Sequence, residues 1–176
     1  MANREALREL QARLASRLQA AHAEGISVAW LAVRTGGYNL LFPLGQSGEI
    51  FPLNNLQVVP YARDWFQGVV NIRGGLYGVV DFAGFLAAHA GLARLEPPAQ
   101  DSSVVTLNLA LEVNCALRID ALQGLRSADD FTATVANEPN APAYFGTRLV
   151  DAKGTTWQEI DIRILSQTPQ FLSISA

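Results

Sequence analysis

The chain has little of what most chemistry requires. Cys115 is the only cysteine in 176 residues, so an internal disulfide is excluded. A reducing compartment is the simplest inference. Cys115 sits in the apolar run Cys115-Ala116-Leu117, the setting of a small buried hydrophobe rather than a nucleophile. Only His22 and His89 could supply an imidazole base, and neither adjoins a nucleophile elbow or an oxyanion loop. No cysteine or histidine cluster has metal-ligand spacing, and no phosphate-cradling G-x-x-x-x-G-K-[ST] occurs. The expectation is therefore a protein without enzymatic activity, cofactor or metal. Charge is scarce as well. Charged residues make up 16 % and the net charge is −3, which argues against nucleic acid or an anionic membrane surface as the main partner. Lysine is nearly absent: twelve arginines stand against Lys153 alone. Arginine suits bidentate protein contacts, but compositional bias is the simpler explanation of such a skew. No run approaches the ~18 apolar residues of a membrane helix. Glu5, Glu9 and four arginines interrupt the N-terminus where a signal peptide would be apolar. A cytoplasmic protein is expected.

What is present is apolar. Hydrophobic residues reach 49 %, enough for one ordinary domain or one domain with two small lobes. Residues 1–26 form a separate unit. Leu7, Leu10, Leu14, Leu18 and Ala21 recur on one helical stripe, Glu9 and Arg13 are placed i,i+4, and Gly25 is a stop. Such a helix either packs on its own domain or docks a partner. From residue 27 the period changes to that of strands. Ser27–Arg34 and Tyr38–Phe42 flank a Gly36-Gly37 turn, and residues 43–60 are punctuated by proline and glycine and read as loop. Val104–Leu111 with Cys115–Ile119, and Gly146–Val150 with Thr155–Ile160, form further hairpins; residues 126–143 read mostly as loop. Asp129-Asp130 is a solvated pair. Asp151 and Glu159 could do acid–base work in principle, but they flank a hairpin, where solubility is the simpler role.

The most informative stretch runs from Gly68 to Asp81, two apolar strands joined by a glycine pair. Gly74-Gly75 suits a primed turn with both central residues at positive φ. Asn71 and Arg73 lead into it. Asp81 then caps a short helix, Phe82 to Ala90, stopped by Gly91. The pattern recurs later: a hairpin, a strand ending at Ile160, a capping Asp161 and an apolar helix through Leu165. The echo suggests two short-stranded barrels, with a single β-sandwich as the alternative.

These residues resemble the CheW-like domain family. The marks are Gly48-Glu49-Ile50, the Val59-Pro60 step, the asparagine-apolar-arginine-glycine hairpin at Asn71-Ile72-Arg73-Gly74, Val79-Val80-Asp81 and Phe85-Leu86. Weaker marks are Ala116-Leu117-Arg118-Ile119-Asp120, Gly124-Leu125, Tyr144-Phe145-Gly146 and Asp161. Phe51-Pro52-Leu53 and Asp64-Trp65-Phe66 resemble the CheW homologue of type IV pilus systems. The resemblance covers residues 28 to 166. It implies a mainly β fold of two small five-stranded SH3-like β-barrels with short helices, here with an added N-terminal amphipathic helix. The domain would span 27–168, with lobes at about 37–92 and about 103–168 and a first strand that the two lobes could share. It implies a non-catalytic adaptor between the cytoplasmic tip of a methyl-accepting chemoreceptor and the regulatory domain of a CheA-type histidine kinase, controlling twitching motility at membrane-associated receptor arrays. The implied protein-binding residues are Arg73, Glu49, Asn71, Gly74 and Gly75, with Arg73 and Glu49 expected close together. Arg118 departs from the family pattern, so that its strand is either exposed there or meets a different kinase surface. Residues 137–145 also depart from it. The competing expectation is a small-ligand-binding β-barrel with Trp30, Tyr38 and Trp157 around a cavity.

Overall fold

A computed structural model of the chain describes residues 2–24 and 28–176. Gly25, expected to stop the first helix, and the 26/27 boundary lie outside the described residues, as do the side chains of Leu18, Ala21 and His22. Among the described residues there are eleven strands: β1 (Val28–Thr35), β2 (Tyr38–Pro43), β3 (Ser47–Pro52), β4 (Phe66–Ile72), β5 (Gly75–Asp81), β6 (Ser103–Leu107), β7 (Cys115–Ile119), β8 (Ala121–Ser127), β9 (Phe131–Val135), β10 (Phe145–Asp151) and β11 (Thr156–Ile160). The helices are α1 (Ala2–Glu24), α2 (Phe82–His89), α3 (Ile162–Gln167) and α4 (Pro169–Leu172). Among the described residues no helix is long and apolar enough to cross a membrane.

The strands form two sheets, ordered β8-β1-β2-β11-β10-β9 and β3-β6-β7-β5-β4. Strand alternation sorts their side chains. Leu31 and Val33 of β1, with Leu40 and Phe42 of β2, face the main core between the sheets, where they meet Val80, Val105 and Leu117. The intervening Ala32 and Leu41 turn the other way and pack with Trp157, Trp30, Phe131 and Leu149. The five-stranded sheet has its own second cluster, Val70, Val79, Val104 and Ala116 beneath Phe51, Leu53 and Leu56. Each sheet thus curls around a small core of its own while sharing a larger one, the architecture of two small barrels side by side. Neither ring of pairing closes, and one sheet has six strands rather than five.

The sheets draw on both stretches of chain expected as lobes. β6 and β7 complete the sheet of β3–β5, and β2 lies beside β11. The echo seen in the sequence is structural. In both halves a hairpin strand pairs in parallel with a distant strand, β5 with β7 and β11 with β2. In both, the capping aspartate donates its N–H to the carbonyl of an aromatic residue just before the hairpin: Asp81 to Trp65 at 2.8 Å and Asp161 to Tyr144 at 2.7 Å.

The two aspartates differ in their side chains. The Asp161 carboxylate caps α3, accepting from the Ile164 N–H at 3.0 Å. That of Asp81 makes no cap, contrary to expectation, and instead accepts from Arg94 at 2.7 Å. Arg94 also reaches Asp120 at 3.2 Å, and Asp120 accepts the Gly36 N–H at 2.7 Å. The guanidinium thereby joins the end of β5 to the β1–β2 turn of the other sheet.

The helical stripe is only partly as expected. Leu14 is buried and Leu7 half-buried, but Leu10 is 47 % exposed. Gln11 takes the buried place, its amide donating to Ser103 Oγ at 2.9 Å. The reason is local: α1 packs beside β3, and the hydroxyl of Ser103 lies on the neighbouring strand β6. Glu9 and Arg13 pair at 3.0 Å.

Candidate protein-binding site

The site is built on the β4–β5 hairpin. Ile72 pairs with Gly75, so the two turn residues are Arg73 and Gly74, one position earlier than the Gly74-Gly75 pair expected. Their φ values are +50° and +81°. Glycine tolerates this conformation, whereas an arginine there carries left-handed strain of roughly 1–2 kcal/mol. Asn71 supports the turn, its Oδ1 accepting the Gly74 N–H at 3.0 Å. That bond selects the Arg73-Gly74 turn and leaves Gly75 in strand. Gly68 sets the other end of β4, because a Cβ there would lie 2.1 Å from the Gln57 carbonyl oxygen. Gln57 and Val69 exchange both backbone bonds at 2.9 Å.

Glu49 arrives from the opposite edge of the same sheet. The register between β3 and β6 slips between Ser47 and Ile50, a bulge that re-aims the intervening side chains. Thr106 holds it in place: its Oγ1 accepts the Glu49 N–H at 2.8 Å. Arg73 Nη1 then lies 2.9 Å from both Glu49 carboxylate oxygens. Because β3 and β4 are the two ends of the five-stranded sheet, the pair spans its open seam. The Arg73 guanidinium also sits 5.4 Å above the Phe51 ring. Both side chains remain exposed, 72 % for Arg73 and 55 % for Glu49. An exposed pair contributes at most about 1 kcal/mol to stability.

The charged pair forms a ridge between two clefts. One, of about 310 Å³, is lined by Gly48, Tyr77, Thr106 and Leu109; the other, of about 230 Å³, by Leu53, Asn54, Val70 and Asn71. Phe51, Ile72 and Arg73 border both. A fixed cation and anion on a partly apolar surface present geometry and charge for recognition. Of the five expected residues, Arg73 and Glu49 meet, Asn71 and Gly74 build the turn, and Gly75 lies in β5. Phe51 and Thr106 were not expected. Phe51 is two residues beyond Glu49 on one strand, a spacing visible only once residues 47–52 are read as β3.

Other candidates are occupied structurally. Arg118, expected as exposed or kinase-facing, donates to Ser102 Oγ and Gln67 Oε1, each at 2.9 Å. Asp151 accepts from Trp157 Nε1 at 3.0 Å and from the Lys153 and Thr155 N–H groups, which together hold its carboxyl below the usual range. Glu159 accepts from Trp30 Nε1. Trp30 and Trp157 therefore pack in the six-stranded sheet's own cluster, while Tyr38 donates to the Ala93 carbonyl at 2.6 Å. The three do not surround one cavity. Burial pushes the Cys115 thiol up to about 12.

Comparison with known proteins adds three findings. The CheW-like domain family matches residues 29–168. Protein PilI of Pseudomonas aeruginosa is 29 % identical over 114 residues, which make up 65 % of this chain and 61 % of that protein. The match thus spans about three fifths of the relative's length. A crystal structure of scaffolding protein TtCheW from Thermoanaerobacter tengcongensis superposes with a TM-score of 0.61 at 12 % identity, covering 77 % of this chain and 89 % of that one. This last likeness is one of fold.

Proposed function

Because the chain belongs to the CheW-like domain family, we propose that it is a non-catalytic scaffold of chemosensory signalling. It couples the cytoplasmic tip of a methyl-accepting chemoreceptor to the regulatory domain of a CheA-type histidine kinase. The similarity to PilI supports placement in a system governing type IV pilus twitching motility. The protein acts in the cytoplasm, recruited to membrane-associated receptor arrays. Residues 27–168 form the coupling domain, and residues 1–26 an appended segment that includes α1.

The observation that carries this reading is the Arg73–Glu49 pair. A strained turn holds the arginine, a bulge aims the glutamate, and both stay exposed. A purely stabilising pair gains little from such an arrangement, whereas a recognition surface needs it. The receptor contact is centred on Arg73 with Glu49 beside it. The test is a pull-down of purified receptor cytoplasmic fragment and kinase regulatory domain on the immobilised protein. Arg73→Ala should lose the receptor, keep the kinase domain and melt at nearly the wild-type temperature. Undiminished receptor capture by that variant refutes the assignment.

A further inference from the structure

A sheet edge offers unpaired backbone donors and acceptors, and proteins blunt such edges. The four edges here are treated unequally. Helix α1 packs along β3. Gln57 occupies the edge of β4 through two backbone bonds to Val69. β8 is bent at Gly124, where φ is +103° and its register with β1 slips, and it carries Arg126. β9 has little such protection. It pairs only with β10, and a bulge at its start leaves Ala133, Thr134 and Val135 in regular register. Residues 132–136 (Thr-Ala-Thr-Val-Ala) are all exposed, uncharged, and free of proline and glycine. Val135 alone is 42 % exposed.

Carboxylates flank this neutral strand in sequence at both ends, while Arg148 of β10 stands opposite Val135. Asp129 and Asp130 precede it and Glu138 follows it, all exposed. An antiparallel second copy centred on Thr134 would set Asp130 of each copy opposite Glu138 of the other. Like charges would then meet at both ends.

We infer that the free edge of β9 accepts an extended segment of another protein by strand addition. That segment is neutral and β-branched at its centre and carries lysine or arginine at both flanks. Main-chain bonds to residues 132–136 supply affinity, and the acidic flanks supply selectivity. The surface lies on the six-stranded sheet, apart from the Arg73 ridge on the other sheet.

The probes are three synthetic peptides added to the ¹⁵N-labelled full chain: Lys-Thr-Val-Thr-Val-Lys, its glutamate-flanked counterpart, and a lysine-flanked version with proline at the second valine. The lysine-flanked peptide should shift the amide resonances of residues 132–136 and slow their hydrogen exchange. It should bind about tenfold more tightly than the glutamate-flanked peptide at low salt, with the ratio shrinking toward one at roughly 0.5 M salt. The proline version should not bind. Thr134→Lys, on an exposed edge, should fold normally and lose most binding of the lysine-flanked peptide. Equal binding of both charged peptides, shifts centred elsewhere, or self-association of the wild type through β9 in place of peptide binding would each overturn the proposal.

Discussion

Arg73 is the residue on which local strain and the proposed receptor contact meet. Its φ of +50° is a conformation that glycine adopts without a Cβ penalty, and its ion pair is solvent-exposed. Arg73→Gly should therefore leave stability within about 1 kcal/mol of wild type, strain relief offsetting the lost pair, while abolishing receptor capture. Urea denaturation beside the pull-down separates the two effects. Cys115 represents the opposite case, a group made inert by burial. Its thiol is raised from 9.0 to about 12 by desolvation, so a disulfide-exchange reagent should modify it at neutral pH only on unfolding. The same shift has a sign for stability. The folded state holds its proton more tightly than the unfolded chain, so this contribution is complete below pH 9 and is lost as pH rises toward about 12. Tyr144, raised by burial from 10.0 to about 12, acts in the upper part of that window. Urea midpoints should fall across it, and Cys115→Ala should flatten part of the fall.

At the scale of elements, the sequence was most legible where alternation and turn residues agreed. The hairpins β1–β2, β4–β5 and β10–β11 lie where periodicity placed them. β3 was hidden because Pro43, Gly45, Gly48 and Pro52 look like loop punctuation; the glycine is the bulge, and one proline ends the strand. β8 and β9 were hidden because Gly124 interrupts the alternation of one and the other is largely polar and exposed; tertiary pairing with β1 and β10 makes them strands. The one-residue shift of the β4–β5 turn has a similar origin. Glycine pairs signal a turn without its register, which the Asn71 side chain and the facing strand decide. The paired aspartates show how far an echo can be trusted. Asp161→Asn should stay within about 0.5 kcal/mol of wild type, since asparagine caps as well as aspartate. Asp81→Asn should cost about 1–3 kcal/mol, because Arg94 loses a charged, largely buried partner. Chemical denaturation of the two variants side by side checks both, and equal losses would contradict the division of roles.

For the whole molecule, two curled sheets share one core and are clasped by Arg94 between Asp81 and Asp120. The shared core and this clasp tie the two sheets together while leaving distinct surfaces on each, as the proposed scaffold role requires. Membership of the CheW-like family was legible from the hairpin signature, because turn chemistry and the strand ends around it are local. The contact between Arg73 and Glu49 was expected from the resemblance alone, and nothing in the spacing of residues 49 and 73 reveals that the sheet's two edges curl together. The central claim is that one chain holds two different partners at once. Analytical ultracentrifugation of receptor fragment, kinase regulatory domain and this protein tests it most directly. The expected result is a ternary complex absent from every mixture lacking this chain, and reduced by Arg73→Ala to the binary complex with the kinase domain. A chain that binds neither partner, or a ternary complex indifferent to Arg73→Ala, would contradict the account.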